Sequence, residues 1–247
     1  MHKLSIIVPA YNEAKTIRRV IENILAVEFP IPFEIIVVDD HSADRTRKIL
    51  ELLNKTPQAK EIIVLRNAVN RGKGHSIQRG LEVATGDIGV VQDADFEYDP
   101  AEIPKLLAPI LNGTAEVVYG SRFLNVKCPQ KMAFANYIAN RFLTVLTNIL
   151  FGGNLTDMET CYKLFRRQTV MQLNLKASRF DFEPEITSKF LKQKIRILEI
   201  PISYSGRSAS EGKKIKARDF FIAVMVLFKN RFMPEQSRVP AASLHKS

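Results

Sequence analysis

The sequence predicts an α/β protein with a mainly parallel central sheet flanked by helices and with amphipathic helices near its C-terminus. Two observations predict it. Five short β-branched runs alternate with helical patterns through the first half of the chain, and each run is almost wholly apolar instead of alternating. Strands of that kind are buried on both faces, as in a parallel sheet covered by helices on either side.

The first strand is read at Leu4–Pro9. Ile17, Val20, Ile21, Ile24 and Leu25 then recur at helical spacing behind Asn12, which is placed to cap the free amides of that helix. Strands at Phe33–Asp39, Glu61–Leu65, Ile88–Gln92 and Glu116–Tyr119 alternate with helices from Asp44 to Leu53, from Gly74 to Ala84 and after Pro100, a residue suited to a first helical turn. Beyond residue 122 the pattern changes. A long helical stretch, Phe134–Phe151, ends at Gly152-Gly153, a mixed segment follows, and a basic helix is expected over Ala217–Phe232. The tail from Pro234 is expected to be disordered.

Composition bounds the function. The 247 residues are 46% apolar and 25% charged, the balance of a globular chain with a full core. Net charge is +10, but residues 1–121 hold 14 basic and 17 acidic side chains, so the whole excess lies in the second half. That half expects an anionic partner, and nucleic acid, anionic lipid and phosphorylated small molecules all have the right sign. Cys128 and Cys161 lack the spacing of a zinc site or a disulfide scaffold. The apolar run at Leu4–Pro9 is too short for a signal peptide, and the longest later one, Phe220–Phe228, is about half of a membrane span. The expectation is a cytoplasmic protein resting on the cytoplasmic face of a membrane.

In open parallel sheets ligands bind beyond the carboxyl ends of the strands. The residues there are Ala10 to Glu13, Asp39-Asp40, Asn67 to Lys73, Asp93-Ala94-Asp95 and Gly120-Ser121-Arg122. Asp93, Asp95, Glu97 and Asp99 put four carboxylates into seven residues. Hard oxygen ligands crowded together suit Mg²⁺ or Mn²⁺ bound with a substrate diphosphate, or else form a solvated acidic turn. Asp40 at a strand end suits a base or ribose hydroxyl, and equally suits capping of the next helix. Asn70-Arg71-Gly72-Lys73-Gly74 sets two glycines and two cations at a helix start, where amides and charge favour phosphate; an ordinary glycine-rich turn has the same composition.

Taken together, Ile6-Ile7-Val8-Pro9-Ala10-Tyr11-Asn12-Glu13, Ile36-Val37-Val38-Asp39-Asp40-His41-Ser42, Asn70 to Gly74 and Asp93-Ala94-Asp95 resemble the inverting family 2 glycosyltransferases of GT-A fold, in the expected order across roughly residues 3–125. Gly120-Ser121-Arg122-Phe123 and the segment Arg207 to Lys214 look like the polyprenyl-phosphate (dolichyl-phosphate) hexosyltransferase branch. The resemblance implies one domain over 1–233, with a nucleotide-binding half, 1–122, and an acceptor half, 123–233. It implies that Pro9, Tyr11, Glu13 and Asp40 line the base and ribose pocket. Asp93, Ala94 and Asp95 would meet the nucleotide sugar, with Asp93, Asp95 and Glu97 on the metal, and Lys73 and Lys213 on the donor. Asp95, Arg122 and Arg207 are the expected catalytic residues, Arg207 and Lys213 lying on a mobile loop that closes over the diphosphate. Arg122, Arg141 and Asp157 would face the acceptor.

The implied reaction moves a hexose from a GDP- or UDP-linked sugar to a polyprenyl phosphate. Mannose is favoured, with glucose, an N-acetylhexosamine or a glycan hydroxyl acceptor as alternatives. Thr156-Asp157-Met158-Glu159-Thr160-Cys161-Tyr162-Lys163 departs from the Asp-Pro-Thr-Ser-Gly-Phe-Arg form of many mannosyltransferases in that branch. A hydroxyl acceptor would need a base, for which Asp157 or Glu159 are the candidates. A phosphate, with a second pKa of about 6, needs none. Ile138, Phe142, Val145 and Ile149 form an apolar stripe suited to core packing or to a polyprenyl tail, and the last helix, with Arg218, Lys229 and Arg231 around its apolar residues, suits an anionic membrane surface. Two other classes fit less well. A nucleotidyltransferase would carry a glycine-rich loop where Pro9 to Glu13 stand, and a nucleic-acid module is opposed by the four acids and by the lack of any recognised signature.

Overall fold

The computed structural model describes residues 2–56, 60–124, 132–206 and 217–233. The elements are β1 (Leu4–Ala10), α1 (Ile17–Leu25), β2 (Phe33–Asp39), α2 (Thr46–Leu53), β3 (Ile62–Arg66), α3 (Lys73–Val83), β4 (Ile88–Val91), α4 (Ile103–Leu111), β5 (Val117–Ser121), α5 (Phe134–Phe151), β6 (Lys163–Arg166), α6 (Arg167–Met171), α7 (Phe182–Lys192), β7 (Ile197–Pro201) and α8 (Ala217–Phe232). The sheet order is β3-β2-β1-β4-β6-β5-β7. β6 alone runs against its neighbours, antiparallel to both β4 and β5, while the other pairings are parallel.

The apolar runs form the central strands for the reason their composition gives. β1 from Leu4 to Val8, β2 from Ile35 to Val38 and all of β4 are buried, with helices on both faces. In α1 the stripe Ile17, Val20, Ile21 and Ile24 is buried, each such side chain contributing about 1.5–3 kcal/mol. The α1 cap differs from expectation. Thr16 occupies the N-cap without a side-chain capping bond, its hydroxyl donating instead to the Ala94 carbonyl, and Asn12, at φ +52°, turns its Oδ1 to the amide of Ala43 at 2.8 Å. Pro100 opens a short 3₁₀ turn ahead of α4, with Asp99 accepting from the amide of Ala101.

The mixed segment holds β6, α6, α7 and β7, which hydrophobic periodicity did not predict. α7 reads Phe-Glu-Pro-Glu-Ile-Thr-Ser-Lys-Phe-Leu-Lys, yet Phe182 to Phe190 are all buried. Its charges are paired internally: Glu185 takes the Lys189 ammonium at 2.8 Å and the amides of Lys176 and Ala177.

α5 and α8 pack on each other around Leu143, Met158, Ala223 and Leu227. The stripe for which core packing was one expectation faces outward instead: Ile149 is 74% exposed and Ile138, Phe142 and Val145 about half, and Phe134 at the start of the same helix is exposed too. On α8, Phe221, Met225, Phe228 and Phe232 are exposed as well. Among the described residues no helix is long and apolar enough to cross a membrane.

Candidate active site

The carboxyl ends of β1, β2, β4, β5 and β7 share one edge of the sheet, and the antiparallel β6 brings its amino end, with Asp157 to Tyr162 before it, to the same edge. A cavity of about 1240 Å³ opens there. Pro9, Ala10, Tyr11, Glu13, Asp40, Lys73, Asp93, Ala94, Asp95, Glu97 and Arg122 all line it, so ten strand-end positions and the predicted helix-start lysine converge. The β1 and β2 loops are joined by bonds from the amide of Asn12 to Ser42 Oγ, 2.9 Å, and from that of Glu13 to Thr46 Oγ1, 2.8 Å.

Asp40 lines the cavity but does not cap α2, and both of its oxygens are engaged within the chain. Its Oδ1 accepts from Asn67 Nδ2 (2.7 Å) and the amide of Arg71 (2.9 Å), and its Oδ2 from the amide of Gly72 (2.7 Å). Asp44, one residue ahead of the Arg45 N-cap, accepts from the amide of Thr46 at the start of α2. The carboxylate of Asp40 is therefore the anion that the glycine-rich turn binds. The amides of Gly74 and His75 are likewise taken, by the carbonyls of Arg179 and Ser178 at 3.0 Å each. This corrects the phosphate-cradle expectation for residues 70–74, because those donors are satisfied within the chain. Gly72 sits at φ +97°, and a Cβ there would meet the Ser178 carbonyl at 2.5 Å, so the turn requires glycine.

Lys73 lines the cavity, with its charge engaged within the chain. Its ammonium bridges Asp93 at 2.8 Å and Glu183 at 2.9 Å. Burial opposes that charge, but the carboxylates beside it prevail and hold its pKa well above the ordinary lysine value. It fixes two acids in place at the cavity wall.

Asp95 is buried and its Oδ1 accepts from the amide of Glu97 at 2.9 Å. Glu97, expected as a third metal ligand, turns its Oε2 to the hydroxyl of Tyr204 at 2.8 Å. Among the described residues no three histidine, cysteine or acidic side chains converge as a ready cation cage. The donor set nevertheless fits a hard divalent cation of the kind that keeps one or two carboxylates and completes its shell with substrate phosphates and water. Asp95, with Asp93 next to it at the cavity wall, is the part of the expected set that suits this role.

Arg122 and Asp157 form a buried bidentate pair, with Nε to Oδ2 and Nη2 to Oδ1 both 2.7 Å. Asp157 is wholly buried, and a further bond from the amide of Arg122 occupies it, so both of its oxygens are engaged within the chain. Arg122 does reach the cavity, its guanidinium carbon 5.1 Å from the centre of the Tyr204 ring. Arg141 is outside the described lining and donates to the carbonyl of Thr156 at 3.1 Å. Arg207 and Lys213 lie outside the described residues, as do Cys128 and the tail from Pro234.

Several lining residues had no signal in the sequence, Tyr98, Arg179, Glu183 and Tyr204, and Arg218, expected only at a membrane surface, lines the cavity as well. Glu159, considered only as a base, lines the cavity too. Burial, and then the charge of Glu183, push its carboxyl up to about 7. Beneath it the buried Lys163 donates to the carbonyls of Met158 and Thr160 and stands 4.6 Å from the Tyr119 ring centre, its pKa lowered by burial. Phe134, Ile138, Phe142, Phe220 and Phe221, from α5 and α8, give the cavity an apolar part of its lining.

This fold is that of the GT-A glycosyltransferases. Glucosyl-3-phosphoglycerate synthase from Mycobacterium tuberculosis superposes with a TM-score of 0.71 at 21% identity, over 95% of this chain and 82% of that one. The same protein in complex with Mn²⁺, uridine diphosphate and glucosyl-3-phosphoglycerate gives 0.69 at 20% identity, again over 95% and 82%. The chain belongs to glycosyl transferase family 2, whose model matches residues 5–173. It is 31% identical to a UDP-N-acetylglucosamine–dolichyl-phosphate N-acetylglucosaminyltransferase of Methanococcus voltae, over 85% of this chain and 89% of the relative. It is 29% identical to a dolichol-phosphate mannosyltransferase of Pyrococcus furiosus, over 89% of this chain but 61% of the relative, so it spans about three-fifths of that protein.

Proposed function

We propose that this glycosyltransferase moves a sugar from a nucleoside-diphosphate sugar to a polyprenyl phosphate at an anionic membrane surface on the cytoplasmic side. One observation carries the reading: a single cavity joins a carboxylate-rich wall at the strand ends to an apolar wall on α5 and α8. Such a cavity suits one polar substrate and one with a hydrocarbon tail. The named activities of the Methanococcus and Pyrococcus relatives support it.

The nucleotide would lie along Pro9 to Glu13, with the diphosphate toward Asp93 and Asp95. A divalent ion held there would neutralise charge on the leaving diphosphate. Lys73 keeps Asp93 and Glu183 fixed, which sets that wall before any ligand arrives. Arg122, already paired, orients the Tyr204 side of the cavity, and Arg179 and Arg218 are the lining cations suited to an acceptor phosphate. A phosphate mostly ionised near neutrality attacks without a base, consistent with an Asp157 whose oxygens are both taken. Mannose is the sugar favoured by the sequence resemblance, and N-acetylglucosamine is favoured by the Methanococcus relative.

The outward apolar faces of α5 and α8 adjoin the cavity mouth, and Arg218, Lys229 and Arg231 are exposed on α8. A tail entering between these helices would pass from bilayer to cavity with little exposure to water. The test is incubation of the full chain and Mn²⁺ or Mg²⁺ with labelled GDP-mannose, UDP-glucose or UDP-N-acetylglucosamine and a short polyprenyl phosphate. Label extracted into organic solvent is expected, and label found only in water-soluble glycoside overturns the lipid acceptor.

A further inference from the structure

We infer that Glu159 holds a hydroxyl of the sugar being transferred and so sets which donor the enzyme prefers. The inference rests on reading the cavity as the donor site. Glu159 stands in the turn that leads into β6, and it reaches the cavity only because that strand is antiparallel. Its Oε1 is buried and has no hydrogen-bond partner among the described residues. A buried carboxyl oxygen without a partner is costly, and folded proteins keep one where a ligand completes it.

The surroundings select the ligand. The charged neighbours of Glu159 are Glu183, which Lys73 ties to Asp93, and Lys163, Arg122 and Asp157. A phosphate at Oε1 would face the carboxylates of Glu159 and Glu183 together. A further cation would lie among Lys73, which already pairs with Glu183, and the nearby charge of Lys163. A neutral ligand with hydroxyl groups meets neither objection. A sugar hydroxyl donates to the ionised carboxyl and accepts from the protonated one, so the contact survives in both states of a group whose carboxyl is lifted to about 7. Placement agrees, because the sugar of a bound donor lies beyond its diphosphate, and Asp93 is tied through Lys73 to Glu183, whose charge acts on Glu159 in the same cavity. A site built to pair with a hydroxyl rejects analogues lacking one far more strongly than an apolar pocket rejects a misfit.

The test compares affinities within matched pairs, UDP-N-acetylglucosamine against UDP and GDP-mannose against GDP, for the full chain with Mn²⁺ and for Glu159→Ala and Glu159→Gln. For the pair the parent distinguishes, Glu159→Ala is expected to lose about tenfold in affinity for the sugar nucleotide while its affinity for the diphosphate changes less than about twofold. Glu159→Gln keeps the volume and one acceptor, so it retains part of the advantage and changes the ratio between donors. Melting of each variant separates lost contact from lost fold. Equal weakening of both members of a pair, an unchanged ratio, or a parent that distinguishes neither sugar nucleotide from its diphosphate overturns the inference. A fall in turnover with the ratio intact marks Glu159 as a base and overturns it too. Absence of lipid product with the expected ratio change overturns only the acceptor reading.

Discussion

The guanidinium of Arg122 and the carboxylate of Asp157 lie fork to fork, two bonds of 2.7 Å, with Asp157 wholly buried and Arg122 nearly so. Removing one member leaves the other as an unpaired buried charge. Asp157→Ala is therefore expected to cost about 3–5 kcal/mol in urea unfolding. Asp157→Asn should also be clearly less stable than the parent. An Asn variant that melts like the parent while losing turnover would restore Asp157 as a base.

Asp40 organises its loop through the amides of Arg71 and Gly72. Asp40→Ala leaves those donors unmet and should lower stability by about 1–3 kcal/mol. Because Lys73 follows directly, KM for the sugar nucleotide should rise as well. Gly72→Ala, which needs φ +97° and a 2.5 Å approach to the Ser178 carbonyl, should destabilise more than an ordinary surface change. Thermal melting and donor-dependent initial rates check both.

Asp95→Asn keeps an oxygen for the Glu97 amide and removes only the charge. Turnover with Mg²⁺ should fall ~100-fold or more, the scale of lost electrostatic stabilisation at a reacting group. Melting should stay close to that of the parent. Unchanged turnover would show that this carboxylate holds no metal.

The exposed apolar faces of α5 and α8 predict binding to vesicles containing anionic lipid. Phe221→Ser with Phe228→Ser removes two exposed rings without touching Leu227 or Ala223 beneath them. Sedimentation with vesicles should weaken by roughly tenfold or more, since burying one such ring contributes ~1.5–3 kcal/mol. Added salt should weaken the remaining, charge-driven part.

Glu34 joins β1, β2 and the turn after α3, accepting from Lys3 Nζ at 2.7 Å, Ser5 Oγ at 2.6 Å and the amide of Thr85 at 2.7 Å. Burial pushes its pKa up, but these bonds outweigh it and lower the value to about 2 from an ordinary 4.5. Between those values the unfolded chain binds more protons, so stability rises with pH there. The contribution of Glu34 is present above about pH 4.5 and lost as pH falls toward 2. Glu34→Gln should be less stable at pH 7 and show a shallower loss on acidification, measured by urea unfolding from pH 7 to pH 3. Glu159 has the opposite sign: its raised pKa makes its ionisation destabilising as pH climbs from 4.5 toward 7.

The apolar runs and their spacing determined the sheet's first five strands and the helices between them, because burial on both faces leaves a signal in composition alone. They also placed Asp93, Asp95 and the Pro9 to Glu13 turn at the cavity, since residues that follow parallel strands must emerge on one edge. Tertiary structure alone decided the rest. Nothing local marks β6 as running backward, yet that reversal carries Glu159 and Cys161 to the active edge and buries Asp157 against Arg122. α7 hid because its charges pair within the fold, so its burial left no apolar period to read. The partners of Asp40 and Lys73 were equally out of reach. Residue type tells what a carboxylate or an ammonium can bind, but when a donor within the chain and a ligand offer the same chemistry, only their distances in space determine which of them it meets.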